Sequence, residues 1–114
     1  MMYEKIFDIL TENNIAAYPP GIHEGECTSE YVVVKNMGKS KYADISSQYA
    51  LVDIICHVPQ KRPVDLIGLT ERVKAAMKGL YPEVLPTGTE TPDFNDDSVK
   101  SVTSSIEYRY NVRM

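Results

Sequence analysis

Residues 49–58 read Tyr-Ala-Leu-Val-Asp-Ile-Ile-Cys-His-Val, with Pro59 directly behind them. A run rich in β-branched and aromatic types, closed by a residue that cannot donate to a ladder, predicts a long strand. Alternation divides that strand into two unlike faces. Ala50, Val52, Ile54, Cys56 and Val58 share one face, apolar throughout, which is expected to lie on the core. Tyr49, Leu51, Asp53, Ile55 and His57 share the other, which mixes apolar with ionisable groups. Such a face is seldom simply wet; it suits cover by a loop, a neighbouring element or another subunit.

Upstream, Tyr31-Val32-Val33-Val34-Lys35 is a second strand by its β-propensity. Asn36 to Lys41 brings turn residues together with Lys39 and Lys41, so about a dozen residues separate the two strands, more than a tight hairpin uses. A projecting arm over 36–47 is expected there, of the kind that serves contact more than folding. Tyr3, Ile6, Phe7 and Leu10 fall at i, i+3, i+4, i+7 and predict an N-terminal helix over 3–13, stopped at Asn13-Asn14. Ile15 to Tyr18 is a brief edge strand at most before Pro19-Pro20-Gly21, and 21–29 reads as a loop.

Downstream, Leu66, Leu69, Val73, Ala76, Met77 and Leu80 predict a central helix over 65–80, with Asp65 as its N-cap and Glu71, Arg72, Lys74 and Lys78 largely outward. Residues 81–98 hold Pro82, Pro86, Pro92, Gly88 and the carboxylates Glu90, Asp93, Asp96 and Asp97. That segment is expected to be a loop, with short extended pieces around Val84 and Leu85 and with Phe94 tucked back onto the body. From Val99 a period of two takes over and runs to the end: Val102, Ser104, Ile106, Tyr108, Tyr110 and Val112 alternate with polar residues. The expected fold is one α+β domain over 1–114, a mostly antiparallel sheet of about four strands packed by two helices.

A net charge of −4 argues against wrapping nucleic acid by counterion release. Two cysteines give no disulfide framework, and Met1 to Leu10 lacks an apolar signal-like region, so a reduced, intracellular setting is expected. No run approaches the ~20 apolar residues of a membrane span, and a soluble chain is expected.

Few groups here carry chemistry. His23, Cys27, Cys56 and His57 have the residue types of a zinc site, but Cys56 and His57 are consecutive in a strand and leave on opposite faces, so no metal is expected there. Cys56 reads as a small core hydrophobe, His57 as a half-exposed strand residue and Cys27 as a loop thiol. The acidic segment 90–97 lacks the glycine and terminal glutamate of an EF-hand loop. It still supports an alternative reading, a small ligand- or metal-binding regulatory domain with that loop as its site. Cys27 with His23 could imitate a thiol and its base, yet no orienting third group accompanies them, and neither an enzyme nor a cofactor is expected.

Three segments carry a family resemblance: the N-terminal helix running into Ala17-Tyr18-Pro19-Pro20, the strand from Tyr49 to Pro59, and Pro86-Thr87-Gly88 through Tyr108. Within the last, Thr91-Pro92-Asp93-Phe94-Asn95-Asp96-Asp97 followed by Ser105-Ile106-Glu107-Tyr108-Arg109 is the most characteristic part. The chain resembles the tail-terminator and tail-completion proteins of long-tailed bacteriophages and prophages, a family also described as minor capsid or head-tail joining proteins. The resemblance implies a virion assembly protein, made in the host bacterial cytoplasm and built into the tail or neck. It implies a homo-oligomeric ring, commonly hexameric, that meets the tail-tube protein and the head connector and touches DNA only as it passes. The subunit interface is then expected at Tyr49, Leu51 and Ile55 on the mixed face and at Lys39, Lys41 and Tyr42 on the arm.

Overall fold

A computed structural model describes residues 2–23, 25–41 and 47–113 of the chain. It contains helix α1 (Met2–Glu12), strands β1 (Ala17–Tyr18), β2 (Tyr31–Lys41) and β3 (Ser47–Pro59), and helix α2 (Asp65–Met77), which tightens into a 3₁₀ turn at Lys78–Leu80. Strands β4 (Val84–Glu90), β5 (Phe94–Asp96) and β6 (Ser101–Arg113) complete it. The six strands form one sheet in the order β1-β2-β3-β6-β4, with β5 also paired to β6. Among the described residues only the β1–β2 pair is parallel. The fold is therefore α+β, mostly antiparallel, with two helices on one side.

Sheet and helices meet where the alternation of β3 predicts. Ala50, Val52, Ile54, Cys56 and Val58 are each at most 1% exposed, and the last four join Ile6 and Leu10 of α1 and Leu66, Leu69 and Val73 of α2 in one core. Tyr3 fastens α1 to the sheet by donating its hydroxyl proton to the Val34 carbonyl at 2.6 Å. The helix stops as expected: Asn14 takes φ +60°, and Asn13 Nδ2 donates to the Ile9 carbonyl.

Several expectations are corrected. Among the described residues the strands number six rather than about four, because the proline-rich segment contributes β4 and β5. β4 tolerates Pro86 because it is an edge strand, where a missing N–H can face away from the ladder. β2 does not end at Lys35. Its backbone stays paired with β3 from Tyr31↔His57 to Lys41↔Gln48, and Asn36–Gly38 forms a bulge instead of a turn. Gly38 supplies φ +95° there, and its N–H donates to Asn36 Oδ1 at 2.9 Å. Most of the expected arm is thus strand, and 42–46 lie outside the described residues. Asp65 is the first helical residue of α2, not its cap; Val64 occupies the cap position with no side-chain hydrogen bond, and Asp65 pairs with Arg62 at 2.9 Å.

Candidate functional site

The side of the sheet away from the helices is assembled from the odd-numbered residues of β3 and β6. Register places Tyr31, His57 and Thr103 in one row, then Val33, Ile55 and Ser105, then Lys35, Asp53 and Glu107, then Gly38, Leu51 and Arg109. Leu85 of β4 lies beside Arg109 and widens the last row.

At the His57 end this face is closed by the chain itself. Residues 19–23 and 25–30 fold over it, tied down by Cys27 N–H donating to the Val99 carbonyl at 2.7 Å. Under it the rings of His23, Tyr31 and His57 stack in turn, 3.8 and 4.6 Å between centroids, with Tyr18 edge-on to Tyr31. His57 Nδ1 lies 3.0 Å from Ser101 Oγ and 3.2 Å from Thr103 Oγ1. His57 is buried rather than half-exposed, since the docked segment was not visible from its own strand. Burial lowers its pKa, with His23 adding to that and Asp96 opposing it. The folded state therefore binds its proton less tightly than the unfolded chain does. Stability is fully present above the ordinary histidine value of 6.5 and is lost as pH falls below it toward the depressed value. Urea unfolding at about pH 7 and about pH 5.5 should show that slope, and His57→Phe should flatten it.

Beyond this stack no described helix or strand packs over Val33, Leu51 and Ile55. Tyr49, Leu51 and Ile55 are all half-buried there, with Val33 and Leu85, and the structure brings these three expected interface residues together on β3. Lys39 is not with them. It pairs with Ala50 and points to the helix side, because the extra residue of the Asn36–Gly38 bulge reverses the alternation. Lys41 pairs its backbone with Gln48, while its side chain and Tyr42 lie outside what is described.

Residue reading alone placed Asp53 on this face but missed the charges it meets there. Asp53 stands directly across from Glu107 and from Lys35, and no salt bridge joins them among the described residues. Burial raises the Asp53 pKa, Glu107 raises it further, and Lys35 works against both. Glu107 Oε1 accepts a hydrogen bond from Thr87 Oγ1 at 2.7 Å. Because the Asp53 pKa is raised, its contribution to stability is present below the ordinary value of 3.8 and is lost as pH rises through the raised one. Asp53→Asn should therefore stabilise the fold at neutral pH, by roughly 0.5 kcal/mol for one like-charge cross-strand pair, as read by thermal unfolding.

The other candidate groups are separated. Tyr31 lies between the His23 and His57 rings, and Cys56 is in the core on the opposite face with its thiol pushed up to about 12 by burial. No three potential metal ligands converge among the described residues. Cys27 is a buried thiol rather than an open loop one; Sγ donates to the Ser29 carbonyl at 3.3 Å, and burial raises its pKa, the reverse of an activated nucleophile. The acidic segment is dispersed: Glu90 pairs with Lys74 at 2.9 Å, Asp96 accepts from Ser98, and Asp97 accepts from Gln60 Nε2. Phe94 is 49% exposed, not tucked in. A groove of about 630 Å³ beside the end of α2, floored by Met77, Val84, Ile106 and Tyr108, was also illegible, since its walls come from three elements. No helix of the described chain is long and apolar enough to cross a membrane. No family model matches the chain, and no characterised protein matches it in sequence.

Proposed function

We propose that the protein is a structural assembly subunit of the tail-terminator or tail-completion kind. Copies would close the end of a tail tube as a ring, commonly of six, and present a surface to the head connector, in a long-tailed phage or prophage. The reading assigns the chain no catalytic step and no cofactor, and it places the protein in the virion tail or neck.

One observation carries it: a sheet face whose middle rows hold half-buried Val33, Leu51 and Ile55 with no described element over them. A sheet with one apolar-bearing face left open acquires a layer from elsewhere, and in a homo-oligomer that layer is another copy. The resemblance of the chain supplies the setting. A negative net charge of −4 also suits a channel that lets DNA through without holding it.

The test is negative-stain microscopy of the purified protein, alone and with its cognate tail-tube protein. Annular particles, or tubes of limited length capped at one end, are expected. Tubes that grow unchecked in its presence, together with no annuli, would contradict the assignment. A ligand-binding domain remains the second reading, favoured by the groove beside α2 rather than by the acidic segment, of which only Glu90 borders that groove.

A further inference from the structure

The groove beside the end of α2 is walled on one side by the helix and its 3₁₀ turn, where Lys74 and Lys78 stand one turn apart on the same face, about 6 Å along the axis. β4 makes the other wall. Between Pro86↔Tyr108 and Glu90↔Ile106 it steps four residues while β6 steps two, so Thr87 to Thr89 lift away from the ladder, with Gly88 at φ +90°. Met77, Val84 and Ile106 lie at the bottom, each at most 3% exposed, and the Tyr81 side chain at the rim is 68% exposed.

Two polar groups of this lining have no partner. Tyr108 is only 4% exposed, yet its hydroxyl makes no hydrogen bond among the described residues. A covered hydroxyl without a partner is costly, and the space that Tyr108 borders is the groove. Burial pushes its pKa up to about 12, with Cys56 and Glu90 adding to that, so it remains a proton donor at neutral pH. Lys78 is exposed and makes no salt bridge among the described residues, whereas Lys74 is held by Glu90 at 2.9 Å. The groove thus carries one positive charge in excess, in a chain whose net charge is −4.

We propose that this groove binds a small molecule with an apolar body and a single carboxylate. The carboxylate accepts the Tyr108 O–H and balances the Lys78 ammonium. The body covers Met77, Val84 and Ile106 and lies against the Tyr81 ring, in a space of about 630 Å³, within the range that takes a drug-sized ligand. A neutral molecule of the same shape with no acceptor leaves the hydroxyl unpaired, and a cation is repelled by Lys78. The site does not rest on the assembly reading, because Ile106 and Tyr108 face the helices and not the open side of the sheet.

The experiment is calorimetric titration of the protein with naphthoate, naphthamide and naphthylmethylammonium, which share one ring system and differ in charge. Naphthoate should bind with a Kd below about 1 mM, naphthamide about tenfold more weakly, and the cation not measurably. Tyr108→Phe keeps the ring and should weaken naphthoate about tenfold. Lys78→Glu should weaken it about fivefold, since that side chain is exposed. Lys61→Glu makes the same charge change on the segment before α2 and should leave binding unchanged. Unfolding curves check that each variant is folded. No naphthoate binding at about 1 mM, equal affinity for the three probes, or full affinity in Tyr108→Phe overturns the inference. If Lys78→Glu lowers the sedimenting mass and leaves naphthoate binding intact, the groove is a contact between copies of the chain, and the inference is likewise overturned.

Discussion

Ile54→Ala is expected to destabilise the isolated fold by about 3 kcal/mol, while Ile55→Thr next to it costs about 1 kcal/mol or less. The two side chains are neighbours in sequence and similar in size, and they differ in the face they occupy. Ile54 is fully buried, paired across the ladder with Val34 and Ile106, and packed beneath the helices. Removing three carbons there loses transfer free energy and leaves a cavity that the surrounding strands cannot close. Ile55 is half-buried on the open face and leaves no enclosed void. In a domain whose whole stability is of order 5–15 kcal/mol, a loss of about 3 kcal/mol lowers Tm by roughly 12 °C. Thermal unfolding of both variants below the association range measures the difference. Equal losses would mean that both faces are covered within one chain.

Leu51→Lys is expected to have the reverse profile, a small effect on unfolding and a large one on assembly. Leu51 stands between Gly38 and Arg109 in a part of the sheet that no described helix or strand covers, so a lysine ammonium reaches water in the free subunit. Once a neighbour covers the row, the same ammonium is desolvated against an apolar surface beside Arg109. An unpaired charge buried at the middle of an interface costs several kcal/mol, enough to weaken association a hundredfold or more, by about 2.7 kcal/mol. Light scattering on a sizing column should show Leu51→Lys as a monomer at concentrations where the unaltered protein is assembled. A variant that assembles normally would place the contact elsewhere.

What could be read from residues alone was whatever depends on near neighbours in the chain. The two faces of β3, the stripes of α1 and α2 and the stop at Asn13-Asn14 follow from periods of 2 and 3.6 and from local backbone preference. Tyr49, Leu51 and Ile55 were legible as a half-covered row for the same reason. Features that depend on a partner strand were not. Asn36–Met37–Gly38 has the composition of a turn, and only pairing with β3 turns it into a bulge that moves Lys39 to the other face. Pro86 argues against a strand until the edge position of β4 removes the objection. The meeting of Asp53 with Glu107 needs the register of strands more than fifty residues apart in sequence. The burial of His57 needs the stretch that carries His23 to arrive over it. In each case the missing quantity is a tertiary pairing, which composition and spacing do not encode.

If another copy of the chain covers the open sheet face, the protein associates with itself reversibly. Sedimentation equilibrium of the unaltered protein, from micromolar to near-millimolar concentration, measures this. The weight-average mass should climb well above the 12.8 kDa of one chain and return toward it on dilution or in the Leu51→Lys variant. A mass fixed at one chain over the whole range would contradict it.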